Sequence, residues 1–161
     1  MARLAEYGSA LDTHDTVIAN HTERMYALET ALAQTVDFSL TNGDTVPLLP
    51  GMPAILLGTS LRRASSSSQT LIYSIGLIAS QAEPTLLASI RTSGSLDLAP
   101  EQWSAVGAIN GLIQGATYYV GATPGTITTT PPTTQGSILL SVGRACSTTR
   151  LLIQLGTPVL L

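Results

Sequence analysis

The sequence predicts a mainly β protein: an N-terminal α-helical coiled coil followed by a duplicated antiparallel β-sandwich or barrel-like module, assembled as a homotrimer. Three observations lead there. Leu4, Leu11, Ile18, Met25 and Leu32 recur every seven residues, the period of a left-handed supercoil. From Asp37 onward the pattern changes to short β-branched and aliphatic runs of period two, cut by Gly, Pro and Asn, as strands and turns require. The β region also repeats against itself at an offset of about 65 residues, the mark of an internal duplication. The resulting boundaries are 1–37 for the helix, 38–98 for a first β unit, and 99–161 for a linker with Trp103 and a second β unit.

In the helix, the apolar row above occupies the a positions, and Tyr7, His14, His21, Leu28 and Thr35 fall at d. One helix cannot bury such a stripe, so partner helices are expected. Arg24 at g and Glu29 at e sit at the offset of an interhelical ion pair in a parallel bundle. A surface pair of this kind contributes under about 1 kcal/mol, so it selects orientation while the seam supplies the stability. Two strands leave little room for Tyr7 and the two imidazole layers, whereas three strands leave a wider axial channel. The plain reading of His14 and His21 is that of neutral, hydrogen-bonded residues that set register. The sharper one is a three-nitrogen metal or anion site on the axis. With no Cys or carboxylate at neighbouring core positions, no metal or cofactor is expected.

Charge is concentrated in this stretch: eight of the 17 charged residues precede Phe38, which leaves nine for the remaining 124 residues. A positive mean hydropathy with so little charge points to a surface covered by Ser and Thr hydroxyls and by other copies of the chain. The net charge is −3, Lys is absent, and the seven Arg form no stripe, so nucleic acid is not an expected partner. The N-terminus lacks an apolar signal region, and the apolar runs are too short for a membrane span. A soluble protein without membrane insertion is expected. Cys146 is the sole cysteine, so no internal disulfide forms, and in an apolar strand it reads as a small buried hydrophobe.

The predicted strands are 38–41, 54–58, 71–79, 86–92, 117–121, 138–146 and 151–155. Asn42-Gly43 and Asn110-Gly111 suit turns with positive φ, and Pro124-Gly125 suits a type II turn. In the repeat, Gly51-Met-Pro-Ala-Ile-Leu-Leu-Gly58 answers Gly115-Ala-Thr-Tyr-Tyr-Val-Gly121. Ser74-Ile-Gly-Leu-Ile-Ala79 answers Ser141-Val-Gly-Arg-Ala-Cys146, and Leu86-Leu87 answers Leu151-Leu152. The low-complexity stretches Ser65–Ser68 and Thr128–Thr134 fall between the same two strands of each unit, as exposed loop tips do. Within them Ser65, Ser66, Ser67, Ser68, Thr129, Thr130, Thr133 and Thr134 are candidate surface-recognition residues. The last six residues, Gly156 to Leu161, restate the opening of the unit and are expected to lie beside an earlier strand. Between the units, Pro100 suits the first turn of a short helix with Asp97 near its cap and Glu101 in its first turn. Trp103 reads as an anchor of this linker on the β core, with stacking on a sugar ring as the alternative.

The run Leu96-Asp-Leu-Ala-Pro-Glu-Gln-Trp103, the strand and turn from Gly111 to Thr128, Ser141-Val-Gly-Arg-Ala145 and Gly156-Thr-Pro-Val-Leu-Leu161 together resemble the β modules of tailed-bacteriophage fibre and virion-decoration proteins. The likeness covers roughly residues 46 to 161. It implies a homotrimer made in the host cytoplasm and carried in the virion, on the tail or the capsid surface, with a helical part docked on other virion proteins. This chain departs from the pattern in having no long shaft and no large distal tip.

Enzymatic chemistry finds little support. A nucleophilic hydrolase needs Ser or Cys beside an oriented His, and both His lie on the heptad seam. No nucleophile elbow, phosphate-binding Gly loop or zinc-ligand pattern occurs. A glycan depolymerase needs two carboxylates across a cleft, and the β region offers only Asp44, Glu83, Asp97 and Glu101. The expected function is a non-enzymatic virion structural protein: a short trimeric fibre, a tail or baseplate component, or a capsid decoration protein. Contact with a host-surface glycan or receptor through the two hydroxyl-rich loops is the alternative role.

Overall fold

A computed structural model describes residues 36–161. The heptad stretch, with Leu4, Tyr7, Leu11, His14, Ile18, His21, Arg24, Met25, Leu28, Glu29 and Leu32, lies outside the described residues.

The chain is mainly β. Five strands close on themselves: β1 (Val36–Asn42), β2 (Pro53–Leu57), β3 (Ser60–Arg63), β4 (Ser74–Ile78) and β5 (Leu87–Asp97). Their order is β1-β3-β2-β4-β5, and β5 returns to β1 to complete a barrel. All neighbours are antiparallel except β1 and β3, which run parallel with Thr41 opposite Ser60. Closure leaves these strands no free edge, the hazard of an open sheet. The β2–β3 hairpin turns through Gly58 and Thr59 with Gly58 at φ +62°, a conformation that costs glycine little. The sequence pattern missed β3 because Ser-Leu-Arg-Arg carries two charges. Leu61 points into the barrel and is fully buried, while Arg63 is tied to Asp44.

The long β5 serves two sheets. Its first part pairs with β1 and β4, and Gly94–Asp97 pair with β10 (Arg150–Ile153). From there the sheet continues through β9 (Ser141–Ala145) and β6 (Thr117–Val120) to β7 (Ile127–Thr128). A separate ribbon joins β8 (Ile138–Leu139) to β11 (Val159–Leu160), so the chain end lies beside an earlier strand as expected. Helix α1 (Pro100–Ala105) connects β5 to β6.

The two halves share a strand order, β3-β2-β4-β5 and β7-β6-β9-β10. In both, the register breaks at the same point, between Ala54 and Ile55 and between Tyr118 and Tyr119. Gly76 faces Ala54 as Gly143 faces Tyr118, and Ser74 faces Ile55 as Ser141 faces Tyr119. The last pair of strands departs from the sequence match. Leu151 stands opposite Ala145, and the residue opposite the corresponding Ile78 is Ile90, four beyond Leu86. The cause is the connection, which takes residues 79–86 in the first half and only 146–149 in the second.

Two apolar clusters explain why these strands read as continuous aliphatic runs. Ala54, Leu61, Ile78, Ala88 and Ile90 fill the barrel. Ile55 and Leu77, on the opposite faces of β2 and β4, pack into a second cluster with Leu96, Trp103, Tyr118 and Leu151. Strands covered on both faces lose the alternation of a half-exposed sheet.

Four further expectations are corrected. Residues 69–73 form a 3-10 turn rather than the start of a strand, with the Ser68 hydroxyl accepting from the Thr70 N–H at its N-cap; such side-chain capping competes with the strand ladder. Asn42 ends β1 instead of opening a positive-φ turn. Its buried amide donates to the Val46 and Ala82 carbonyls and accepts from the Asp44 N–H. Asp97 does not cap α1: it pairs across strands with Arg150, and the Gln102 side chain takes the Ala99 N–H instead. Cys146 is exposed, because β9 ends at Ala145 and the chain turns back there.

The remaining turn signals hold. Asn110 and Gly111 have φ of +62° and +92°. Gly125 at φ +80° follows Pro124, and the Thr126 N–H closes the turn on the Thr123 carbonyl at 3.2 Å.

Candidate ligand groove

The two low-complexity stretches meet. Backbone hydrogen bonds place the first: Ser66 N–H donates to the Gly121 carbonyl at 2.9 Å, and Ile138 N–H donates to the Ser66 carbonyl at 2.8 Å. The Ser65 hydroxyl donates to the Ala122 carbonyl at 2.6 Å. Residues 64–66 thereby lie between the ends of β6 and β8. The opposite wall is the Thr123–Thr126 turn and the segment after β7. In that segment Thr128 Oγ1 accepts from the Thr130 N–H, and Pro131 and Pro132 stiffen the backbone by fixing φ.

Between these walls is a groove of about 440 Å³, within the roughly 300–1,000 Å³ of small-ligand sites. Five of the eight sequence-nominated residues line it: Ser66, Ser67, Thr130, Thr133 and Thr134. Ser65, Ser68 and Thr129 do not. Ser65 and Ser66 also depart from the expected exposed loop tip, being buried at 8% and 1% exposure. The Ser65 hydroxyl and the Ser66 backbone groups are engaged in holding the two halves together. Sequence reasoning missed Val120 to Thr123, Thr126 and Ser137, which line it too, together with Thr128, Pro131 and Pro132 of the Thr-rich stretch. The only signal for them was the Thr-Pro-Gly-Thr turn beside the Thr-rich run.

Among the described residues, no charged side chain lines the groove. Elsewhere the described residues form three Arg–Asp pairs: Arg63–Asp44 at 2.8 Å, Arg91–Asp37 at 2.6 Å and Arg150–Asp97 at 2.7 Å. Hydrogen bonding by Arg91 holds the Asp37 carboxyl below its ordinary pKa, and Arg150 does the same for Asp97. At Asp44 burial pushes the pKa up, but hydrogen bonds from the Arg63 side chain and the Arg63 and Thr45 N–H groups outweigh it, and the net direction is down. A carboxylate with a depressed folded-state pKa adds stability above its unfolded pKa, about 3.9. That stability is lost as pH falls through the lower folded value. Acid titration of the melting temperature should therefore show a decline beginning near pH 4. Asp44→Asn should remove about 1 kcal/mol at pH 7 and flatten that decline; an unchanged acid limb would count against the Asp44 pair.

Trp103 lies outside the groove and is fully buried. Its indole N–H donates to the Thr149 carbonyl at 2.7 Å, and its ring lies where a side chain on Gly51 would sit. Burial excludes sugar stacking and leaves the anchoring role. Among the described residues, no group of three or more His, Cys, Asp and Glu side chains converges on a metal-sized site, and no helix is long and apolar enough to cross a membrane.

The fold and groove together define a mainly β protein with a closed five-strand barrel and a neutral, hydroxyl-lined recess beside its second sheet. No protein-family model matches the chain, and no curated protein matches it either.

Proposed function

We propose that this chain is a non-enzymatic structural protein of a tailed-bacteriophage virion. It forms a short homotrimeric fibre or a tail or baseplate component attached through its N-terminal helix to other virion proteins; attachment to the capsid as a decoration protein is the variant of the same reading. The observation that carries the reading is the role of the residues behind the resemblance. Trp103 clamps the linker, Tyr118 and Gly143 meet at the register break, and Pro124-Gly125 makes the turn. These residues are the skeleton of the second β unit, as expected when a likeness reflects a shared module and not a chance run of Thr and Gly. The heptad row Leu4, Leu11, Ile18, Met25 and Leu32 supports trimeric assembly.

Solution mass tests the assembly directly. The full chain should have three times its 16.7 kDa mass, and Leu11→Asp with Ile18→Asp should reduce it to one protomer. A monomeric full chain would overturn the trimer. Antibody labelling of purified virions tests the location.

A second role, host contact through the hydroxyl-rich loops, is favoured by one specific observation: the two stretches line a single groove. Replacing 129–134 with a Gly-Ser linker should then reduce phage adsorption.

A further inference from the structure

We propose that the groove between Ser66-Ser67 and the Thr123–Thr134 segment binds a neutral oligosaccharide. The inference rests on the host-contact reading of these loops and narrows it to one ligand class.

Nine of the fourteen lining residues carry a hydroxyl. Each such group both donates and accepts, which matches the hydroxyls of a sugar better than the fixed donor or acceptor of most other ligands. Thr126 Oγ1 and Thr128 Oγ1 are engaged in local backbone contacts. The hydroxyls of Ser67, Thr130, Thr133 and Thr134 have no side-chain hydrogen bond among the described residues, which leaves them open to a ligand. Charge argues the same way. With no Arg in the lining, a carboxylate or phosphate would enter a site without a cation, and with no Asp or Glu a cationic ligand would find no counter-charge.

An extended peptide fits poorly, because strand addition needs a run of free N–H groups along an edge. Pro131 and Pro132 interrupt that run on the outer wall. They offer instead rigid, accessible apolar surface for the C–H face of a sugar ring. The inner wall is held by the Ser66 and Ser65 hydrogen bonds to Gly121 and Ala122, so that wall needs little ordering on binding.

The test is a glycan array carrying neutral and acidic oligosaccharides of matched length, probed with the purified full chain. The variants are Ser67→Arg, which fills the groove, Thr130→Ala with Thr133→Ala, which removes hydroxyls, and Ser39→Arg on the exposed barrel wall as control. Wild type and Ser39→Arg should bind neutral glycans. The two groove variants, each shown to be folded by circular dichroism, should lose at least about tenfold. If Ser67→Arg fails to fold, the double alanine variant carries the test. A blank array, binding confined to acidic glycans, or unchanged binding by a folded groove variant would overturn the proposal. If the array is blank while the 129–134 replacement still reduces adsorption, host contact stands and only the neutral-glycan assignment falls. If adsorption is also unchanged, both fall.

Discussion

Gly143→Ala is expected to destabilise the protein by about 3 kcal/mol or more, at the upper end of what overpacking costs. A Cβ at this position would overlap the backbone carbonyl of Leu152 on β10, an obstacle that no side-chain rotation relieves. The pairing of β9 with β10 places Gly143 directly opposite Ile153, so the strands would have to separate where the second sheet is continuous with β5. Gly76 stands in the corresponding position against the Arg91 carbonyl, and Gly76→Ala should cost a similar amount in the barrel. Gly115→Ala is the control. Gly115 has a positive φ of +80° but open space around its missing side chain, so only the left-handed backbone penalty of roughly 1–2 kcal/mol applies. Thermal unfolding should place the Gly143 variant about 10 °C or more below wild type. A midpoint no lower than that of Gly115→Ala would show that β9 and β10 do not approach this closely.

Trp103→Ala should cost about 3–5 kcal/mol, a third or more of the stability of a typical domain. The ring is fully buried in the cluster that joins Ile55 and Leu77 of the first half to Tyr118 and Leu151 of the second. Its removal opens a cavity and strands the Thr149 carbonyl at the same time. Trp103→Phe keeps a six-membered ring in the site while losing the hydrogen bond and the rest of the indole, so its cost should fall between wild type and Trp103→Ala. Urea denaturation followed by far-ultraviolet circular dichroism gives both values. Wild-type fluorescence, which reports on this one tryptophan, should be blue-shifted and shielded from acrylamide until unfolding. A loss below about 1 kcal/mol for Trp103→Ala would mean that the ring is not at the centre of the shared core.

Particular residues show why some features were legible. Asn110-Gly111 and Pro124-Gly125 were readable as turns because a positive or fixed φ is a property of the residue itself. Pro100 at the start of α1 was readable for the same reason. The matched Ser-x-Gly of 74–76 and 141–143 pointed to equivalent strands, which occupy equivalent places at the two register breaks. The 3-10 turn at 69–73 was masked by its apolar Leu-Ile-Tyr content, although Ser68 carried the capping signal. Of the candidate groove, the Ser and Thr stretches were conspicuous by composition. Their apposition, and the burial of Ser65 and Ser66, were not, since both depend on backbone partners about 55 and 70 residues away.

The sequence by itself determined the β class of the region after Asp37, the placement of its sharpest turns and the correspondence between its halves. These follow from residue-level dihedral preferences and from the period of apolar side chains, which act over a few neighbours. Only the tertiary structure decided that β1 closes a barrel by running parallel to β3, that β5 is shared by two sheets, and that the hydroxyl-rich stretches form one groove. Those outcomes turn on which distant segments satisfy each other's backbone groups and cover each other's apolar faces, a long-range balance that no local pattern records.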